Sequence, residues 1–513
     1  MKTPISALLT LLLTAALLTV APAAPETAES PNIILILADD MSYDSVSAFN
    51  DELGGLKTPR IDRLIDQGMH FTDGHSGSAV CTPTRYGLLT GRYCWRTRLK
   101  HEVLWSYGQP LLRDEELTLP ELLKEAGYHT GMVGKWHLGI GWKNAEGKLA
   151  NGHIEDKDKI WRGAKDKIAA AEASIDWSKE FVGGPRDHGF DFYFGVDLPN
   201  MGPFTWLEDR KAVKAPTVPK PDDMFGSPCL MVEGWKLEAI LPGLRDRACA
   251  WITEAAKKEE PFFLYLPLTS PHTPISPSKE FAGKSGITPY VDFVLETDDV
   301  VGRVLDALEA TGEADNTLLI FTADNGTASA ANFKQLAKHG VNIRNNYRAS
   351  KASIYEGGHR VPFIVRWPKL IQAGSRNDQT VSLNDWLATF AEMTGRKLKD
   401  SEGVDSTSLW PLITGKSTQL PNRPGVVNHS YRGQYAIRDG DWKLILPMQA
   451  DGKYELYHLK QDQRETNNLA SQHPERVARM TATLRASVEN GRSTPGKPQP
   501  NHGGETSWLG LPW

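Results

Sequence analysis

The sequence predicts an α/β protein with a doubly wound, mostly parallel sheet and a smaller antiparallel α/β region toward the C-terminus. Short apolar runs, of which Asn32–Ala38 is the clearest, alternate along the chain with segments that have the apolar spacing of amphipathic helices. The runs are apolar at nearly every position, which is typical of strands that helices cover on both faces. After residue 415 this alternation gives way to hairpin patterns.

Capping residues mark the first helices. Residues 58–68 are predicted to be helical, because a threonine and a proline open the segment, Ile61, Leu64 and Ile65 form an apolar stripe, and a glycine ends it. Thr118 and Glu121 have the spacing of a capping box, which predicts a second helix that a glycine closes at position 127.

Four further apolar runs predict strands at residues 130–133, 261–266, 317–323 and 361–365, and a longer amphipathic segment predicts a helix over residues 290–308. Most of the runs end in turns that carry acidic, basic or histidine side chains. Open α/β sheets bind ligands at the carboxyl ends of their strands. We therefore expect these turns to converge on one composite site.

Two regions do not follow the alternation. Residues 140–185 are rich in Lys, Asp, Glu and Gly and contain one predicted polar helix over 156–173, and residues 197–235 are irregular and rich in proline. Loops above the active edge of a sheet often set specificity, so both regions are candidates for substrate selection.

The C-terminal part has the pattern of a small antiparallel sheet. Residues 435–438 and 442–445 flank Asp439-Gly440-Asp441, which predicts a hairpin, residues 454–459 predict another strand, and residues 468–488 a helix. We therefore divide the chain from residue 31 onward into a large α/β domain over residues 31–419, a small sheet-and-helix domain over 420–490 and a polar tail over 491–513.

Composition indicates a globular, exported protein. The 513 residues are 40% hydrophobic, and a net charge of −5 without a basic tract gives no indication of a nucleic-acid partner. Lys2, an apolar run from Ile5 to Val20 and Ala21-Pro22-Ala23 predict a signal peptide over residues 1–23. The run is short for a membrane span, so we expect a periplasmic, extracellular or lysosome-like location without a stable membrane anchor; a retained anchor is the alternative.

Four cysteines, at positions 81, 94, 229 and 249, are too few for a disulfide framework. If Cys81 is modified, at most one bridge can form, either between Cys229 and Cys249 or between Cys94 and one of them.

The stretch Cys81-Thr82-Pro83-Thr84-Arg85 is suited to anion binding. Thr82 can cap a helix whose first residue is Pro83, which would place Cys81 just before the helix and Arg85 in its first turn. Backbone N–H groups, the helix dipole and the guanidinium would attract a sulfate or phosphate there. Alternatively, Cys81 is a small buried hydrophobe or half of a disulfide.

Two acidic turns, Asp39-Asp40 and Asp324-Asn325, follow two of the predicted buried strands. Their oxygen atoms form a donor set that selects Ca²⁺ or Mg²⁺ over zinc, and carboxylates held together need a cation or raised pKa values. Either pair alone fits a turn former or a helix cap. Two such pairs at the ends of two parallel strands favour a metal site.

Further motifs follow in a fixed order, and together they resemble the type I sulfatases. The matching segments are residues 31–41, 81–92, 134–139, 188–191, 271–274, 324–326, 351–362, 436–444 and 455–457. The resemblance covers essentially the whole mature chain and implies an alkaline-phosphatase-like fold. The surroundings of Tyr86 and of residues 93–96 look most like arylsulfatases and N-acetylgalactosamine-6-sulfatases.

The resemblance also implies a role for each motif residue. In this family a separate maturation enzyme oxidises the motif cysteine to formylglycine, so Cys81, as the hydrated aldehyde, would attack sulfur. The implied metal ligands for Ca²⁺ are Asp39, Asp40, Asp324 and Asn325. Arg85 would orient the formylglycine, Lys135 and Lys351 would bind sulfate oxygens, His272 would protonate the leaving oxygen, and His137 would help to expel sulfate. One family position, a small polar residue after Gly195, has no clean match, and Asn200 is the candidate substitute.

The sequence therefore predicts a secreted, Ca²⁺-dependent sulfatase that acts on a sulfated carbohydrate or an aryl sulfate. Two rivals remain: a formylglycine-dependent phosphodiester or phosphonate monoester hydrolase, and a catalytically inactive binder of sulfated glycans with the same fold. Relative rates on aryl sulfate and aryl phosphate esters test the first rival. The mass of the peptide that contains Cys81 tests the second.

Overall fold

A computed structural model describes residues 30–159, 163–449 and 451–503. The signal peptide predicted over residues 1–23 lies outside the described residues. Within the described ranges, no helix combines the length and apolar character needed to cross a membrane.

The elements alternate as the sequence predicts. The strands are β1 (Asn32–Ala38), β2 (Met69–Phe71), β3 (Gly74–His75), β4 (His129–Lys135), β5 (Phe192–Val196), β6 (Leu207–Glu208), β7 (Lys211–Ala212), β8 (Val218–Pro219), β9 (Leu230–Met231), β10 (Phe262–Pro267), β11 (Thr317–Ala323), β12 (Phe363–Arg366), β13 (Ser375–Asn377), β14 (Val381–Ser382), β15 (Val426–His429), β16 (Tyr435–Asp439), β17 (Trp442–Ile445) and β18 (Glu455–His458). The helices are α1 (Pro59–Gln67), α2 (Cys81–Thr90), α3 (Leu119–Glu125), α4 (Lys165–Ser174), α5 (Ile240–Ala255), α6 (Pro289–Thr311), α7 (Phe333–Lys338), α8 (Glu356–His359), α9 (Trp386–Met393), α10 (Trp410–Ile413) and α11 (Pro474–Glu489).

A ten-stranded sheet forms the centre of the fold, in the order β13-β2-β12-β11-β1-β10-β4-β5-β6-β7. The five strands from β11 to β5 are parallel, whereas β12 and β6 pair antiparallel with their inner neighbours. The predicted doubly wound, mostly parallel sheet is therefore confirmed, with antiparallel strands toward both edges.

Both faces of the sheet are covered, as the continuous apolar runs predict. In β1, Ile33 and Leu35 pack with residues of α2, α3 and α9, while Ile34 and Ile36 pack on the other face with residues of α1, α5 and α6. Successive side chains of a strand point to opposite faces, so a run without polar residues can fill two hydrophobic layers. The carboxyl end of β1 is thereby held rigidly in the middle of the molecule.

The C-terminal sheet is antiparallel, in the order β15-β16-β17-β18, and α11 packs on one of its faces. The predicted hairpin is present as β16 and β17, whereas the first strand, β15, is absent from our sequence prediction. Residues 491–503 pack against the body: Gln499 N–H donates to Asn490 O over 2.8 Å, and Arg96 donates to Asn501 Oδ1 over 3.1 Å. The domain boundary at residue 420 stays a prediction.

Two sequence predictions about these loop regions need correction, and one question that the sequence left open is answered. The helix expected over residues 156–173 begins only at Lys165, because the Asp158 carboxylate closes a turn by accepting from Glu155 N–H at 2.9 Å. The irregular region 197–235 contains the short strands β6 to β9. All four cysteines are free, so none of the three pairings that the sequence left open forms; Cys229 Sγ lies instead 3.1 Å from Ser227 Oγ.

Candidate active site

Polar residues lie at the carboxyl ends of four parallel strands, on one edge of the central sheet. Asp39 follows β1, Asp324 follows β11, Lys135 is the last residue of β4, and His272 lies beyond the end of β10. The backbone N–H of Asp324 donates to Ala38 O over 3.0 Å, which sets the ends of β1 and β11 level. The predicted convergence of these turns is therefore present.

Cys81 is the first residue of α2, so the helix begins two residues earlier than the sequence predicted. The extended Val80 takes the N-cap position, and Pro83 becomes the third helical residue, where a missing N–H costs no intrahelical bond. The Sγ atom lies 3.6 Å from Asp39 Oδ1 and 3.4 Å from Lys351 Nζ. The first turn of α2 thus points the cysteine into the polar strand ends.

The encoded thiol is a poor nucleophile in this position. Burial raises the pKa of Cys81 to about 12, and the nearby Asp324 carboxylate adds to the effect. Because the thiolate is the reactive form of cysteine, the unmodified side chain stays protonated and unreactive at neutral pH.

Arg85 and Lys135 connect α2 and β4 to the acidic turns. Arg85 Nη2 donates to Asp324 Oδ2 over 2.8 Å, Arg85 Nη1 donates to the Lys135 carbonyl over 3.0 Å, and Lys135 Nζ lies 2.6 Å from Asp39 Oδ2. Burial alone would raise the pKa of Asp39, but Lys135, His272 and Arg85 hold it well below its usual range. Asp39 is therefore a carboxylate anion at neutral pH.

The acidic turns form a donor set suited to a hard cation. Asp40 N–H donates to Asp324 Oδ1 over 3.1 Å, and Asn325 Nδ2 donates to Asp40 Oδ1 over 2.7 Å. Asp40 Oδ2 and Asn325 Oδ1 are buried and have no hydrogen-bond partner. Burial and the neighbouring Asp39 raise the pKa of Asp324 to about 6. Orphaned oxygens and crowded carboxylates are the features that a divalent cation would satisfy, so these residues fit Ca²⁺.

His272 lies beside Asp40, one of the residues of this donor set. Its Nε2 atom is 3.7 Å from Asp40 Oδ2, and its Nδ1 atom is 2.5 Å from Thr273 O. Burial lowers the pKa of His272 to about 4, although Asp39 and Asp40 oppose this effect. One ligand atom from each of Asp39, Asp40, Cys81 and His272 lies within 4.8 Å of the others, which places the histidine at the reacting centre.

His137 carries a buried acceptor atom that has no partner. Its Nε2 atom lies 3.0 Å from the Leu104 carbonyl, so the neutral tautomer that satisfies this contact carries the proton on Nε2. Its Nδ1 atom is buried without a partner. Burial, Lys135 and Arg85 lower its pKa well below the usual value. His137 is therefore a neutral imidazole with an unused lone pair.

A cavity of about 290 Å³ opens beside Cys81. The residues that line it include Lys351, His137 and His272, and also Trp105 and Asn200. The Trp105 Nε1 and Asn200 Oδ1 atoms are buried without hydrogen-bond partners. These two side chains therefore carry one donor and one acceptor that no described residue satisfies.

Sequence reasoning missed two of these residues. The Asp197 carboxylate accepts from the backbone N–H of His137 over 3.1 Å and so stabilises His137 in its positive-φ conformation. It follows β5 as Asp39 follows β1, but β5 had no recognisable apolar run. Trp105 lies between predicted elements, where no pattern distinguishes a cavity residue from a packing residue. Asn200, named from the family pattern, does line the cavity.

Comparison with protein families shows which family has these residues in this order. A family model described as sulfatase matches residues 31–396, and one described as N-sulphoglucosamine sulphohydrolase, C-terminal, matches residues 348–493. The chain belongs to the sulfatase family. The sulfatase is a sulfuric ester hydrolase with the alkaline-phosphatase-like fold, as the resemblance of its motifs implied.

Individual relatives match most of the sulfatase. It is 32% identical to an N-acetylgalactosamine-6-O-sulfatase of Bacteroides thetaiotaomicron, with 90% of this chain and 93% of the relative covered. It is 32% identical to human arylsulfatase A, with 81% and 75% covered. A solved structure from a Bacteroides thetaiotaomicron locus for the metabolism of multiple glycosaminoglycans superposes with a TM-score of 0.76 at 29% identity, covering 90% of this chain and 99% of that one.

Proposed function

We propose that this sulfatase is an exported enzyme that removes sulfate from a sulfated carbohydrate, using a formylglycine made from Cys81 and a bound Ca²⁺. One observation carries the proposal. Cys81 Sγ, an inert thiol as encoded, lies in the wall of a cavity, 3.6 Å from the Asp39 carboxylate and 3.4 Å from Lys351 Nζ. As a protonated thiol, Cys81 can serve neither as a nucleophile nor as an acid or base at neutral pH. Conversion to an aldehyde, which hydrates, would make residue 81 a nucleophile.

The proposed cation would be held by the oxygens of Asp39, Asp40, Asp324 and Asn325. Bound there, Ca²⁺ would supply positive charge that favours an ionised nucleophile and neutralises a sulfate oxygen. The unpartnered Asp40 Oδ2 and Asn325 Oδ1 atoms support this assignment. Lys135 and Lys351, which contact Asp39 and Asp40, would then be able to turn toward sulfate oxygens.

The hydrated aldehyde would supply one hydroxyl for attack on sulfur and a second whose loss of a proton restores the carbonyl and releases sulfate. Arg85 holds the first turn of α2 against Asp324 and so fixes the direction of side chain 81. His137 Nδ1, which has no partner, would accept the proton of that second hydroxyl.

His272 would donate a proton to the departing oxygen of the alcohol. It is neutral in the anion-free site, because burial lowers its pKa to about 4. A negatively charged sulfate ester bound beside it would raise that pKa. His272 would then be protonated next to the leaving oxygen, to which it can donate.

A carbohydrate substrate is supported by the cavity wall and by the relatives. Trp105 and Asn200 line the cavity, and a hydroxyl-bearing ring could satisfy the buried Trp105 Nε1 and Asn200 Oδ1 once these side chains turn toward it, whereas a plain aryl group could satisfy neither. The N-acetylgalactosamine-6-O-sulfatase relative is named for a sulfated sugar.

Export and maturation belong to the same proposal. The signal peptide predicted over residues 1–23 would direct the chain out of the cytoplasm. Cys81 is only 2% exposed in the fold, so a sulfatase-maturing enzyme would act on the chain before α2 packs.

The test combines mass and activity. The protein is expressed with and without a sulfatase-maturing enzyme, and the peptide that contains Cys81 is analysed by mass spectrometry. We expect replacement of one sulfur and two hydrogens by one oxygen at residue 81 only, with Cys94 as the unconverted internal control, and activity in proportion to conversion. An unconverted thiol with full activity, or a clear preference for aryl phosphate over aryl sulfate, would contradict the proposal.

A further inference from the structure

The segment that carries Lys351 runs between the two sheets. On the side of the central sheet, Lys351 N–H donates to Thr327 O over 3.1 Å and Ala352 N–H donates to Ala79 O over 2.9 Å. On the other side, Tyr431 N–H donates to Ala352 O over 3.1 Å. Lys351 therefore enters the active site from a segment with contacts to both parts of the fold.

The small sheet holds this segment by a buried lysine. Lys443, on β17, donates through Nζ to the Ile354 carbonyl over 2.8 Å and to Glu356 Oε1 over 3.0 Å. Its Nζ atom also lies 2.8 Å from Glu465 Oε1, and Glu465 Oε2 accepts from the Glu356 N–H over 2.7 Å. The Lys443, Glu356 and Glu465 side chains are at most 1% exposed.

This cluster is an ion-pair network and not a second metal site. His75, Glu356 and His359 come close enough to share a cation. However, Glu356 already pairs with Lys443, and its other oxygen lies 3.6 Å from Arg438 Nη1 and 3.5 Å from Arg360 Nη1. The negative charge is compensated by side chains of this chain.

The network leaves the segment little freedom. A buried ammonium must stay paired, so Lys443 fixes the position of the Ile354 carbonyl to which it donates. The Ile354 side chain is also held, since it packs with Ala436, Ile445 and Tyr457 on the face of the small sheet that is opposite α11. Lys351 lies three residues before Ile354 in the same segment, and its Nζ atom is 3.4 Å from the side chain of residue 81. The position of the Ile354 carbonyl therefore limits where the Lys351 side chain can reach in the active site.

We propose that Lys443 is a positioning residue that sets the place of Lys351 in the active site, so that the small C-terminal sheet is part of the sulfate-binding machinery. The inference rests on the proposed sulfate-binding role of Lys351. Lys443 is not among the residues that line the cavity, and its contacts to the Ile354 carbonyl, Glu356, Glu465 and His359 Nε2 connect it to the segment that carries Lys351.

A double-mutant cycle tests the proposal. Lys443→Met is made in the native protein and in a Lys351→Ala background, and kcat and KM are measured on an aryl sulfate. We expect Lys443→Met to lower kcat/KM about tenfold in the native protein and less than about twofold when Lys351 is already absent. Equal losses in the two backgrounds, or no loss in the native protein, would overturn the positioning role.

Two further variants keep the test decisive. Glu465→Gln is the milder change if Lys443→Met does not fold, and the same loss of effect in the Lys351→Ala background is expected. Asp405→Asn is the matched control: Asp405 forms an equally buried pair with Arg96, at 2.7 Å, and accepts from Tyr93 N–H and Ser493 N–H, away from the Lys351 segment. It should lower the thermal midpoint but leave kcat/KM of the folded enzyme within about twofold.

The outcome separates this inference from the proposed function. If Lys351→Ala alone leaves kcat/KM unchanged, the proposed role of Lys351 fails. If Lys351→Ala is strongly impaired and the cycle is additive, the role of Lys351 stands and only the positioning by Lys443 fails.

Discussion

The Arg85 guanidinium donates to Asp324 Oδ2 over 2.8 Å, and both side chains are at most 1% exposed. This pair joins the first turn of α2, which carries Cys81, to the end of β11, which carries two of the proposed metal ligands. The nucleophile position and the cation position are therefore fixed relative to one another by a buried charged bond. A second donor atom, Nη1, extends the connection to the carbonyl of Lys135.

We predict that Arg85→Lys lowers kcat/KM on an aryl sulfate about 100-fold, because a lysine ammonium cannot reach Asp324 and the Lys135 carbonyl in the same geometry. Arg98→Lys is the control, since Arg98 forms an exposed pair with Asp156 and should change kcat/KM by less than about twofold. Steady-state kinetics of the two variants decide the matter. A nearly active Arg85→Lys enzyme would show that charge alone suffices at this position.

Ca²⁺ is expected to stabilise the fold through the acidic turns. At a concentration of about 100 Kd, a cation that binds only the native state adds about 2.7 kcal/mol to the free energy of unfolding. We predict that Ca²⁺ raises the thermal midpoint of the native protein, that a chelator abolishes activity, and that Asp40→Asn removes most of the thermal response.

Asp44→Asn provides the matched control for the metal site. Asp44 is as buried as Asp40, but its carboxylate is already satisfied by Asn346 Nδ2 at 2.7 Å. Its replacement should leave the rise in thermal midpoint with Ca²⁺ intact. A thermal response that survives Asp40→Asn, or that disappears equally in both variants, would place the cation elsewhere.

Trp105→Phe tests the polar wall of the cavity. The change keeps an aromatic ring but removes an indole N–H that has no protein partner. We predict that kcat/KM for a sulfated monosaccharide falls about fivefold, which corresponds to one hydrogen bond, while kcat/KM for a simple aryl sulfate is unchanged. Trp367→Phe, which removes another unpartnered buried indole N–H outside the cavity, should affect neither substrate. Equal losses on both substrates would assign Trp105 to packing.

Buried neutral histidines should make the fold sensitive to acid. Burial lowers the pKa of His429 to about 3, below the value of about 6.5 for the unfolded chain. The unfolded state therefore binds one more proton than the native state between these pH values. The contribution is fully present above pH 6.5 and is lost as pH falls toward 3.

The measurable consequence is the slope of the free energy of unfolding against pH. Between pH 6 and pH 5 the free energy of unfolding should fall by about 1 kcal/mol for each such histidine, and His429→Gln should remove one of these contributions. Urea titrations at the two pH values measure the slope. His153→Gln, at an exposed position, should leave it unchanged. An unchanged slope in His429→Gln would mean that His429 takes up its proton as readily in the fold as in the unfolded chain.

Elements defined by local chemistry could be predicted from the sequence. The bounds of β1 and β11 agree with the apolar runs residue by residue, and the capping box of Thr118 and Glu121 forms as expected. The short strands β6 to β9 and the strand β15 could not be predicted, because two to four residues carry too little periodicity and their pairing depends on neighbours distant in the chain.

The sequence by itself determined the family, the fold class and the identity of the polar residues at the strand ends, because these follow from apolar periodicity, capping chemistry and motif order. Only the tertiary structure decided which atoms are left without partners, as at Asp40 Oδ2 and His137 Nδ1. It alone showed that Lys443 of the small sheet reaches the segment of Lys351. Burial and pairing between residues hundreds of positions apart depend on how the elements pack, and local sequence carries no record of that packing.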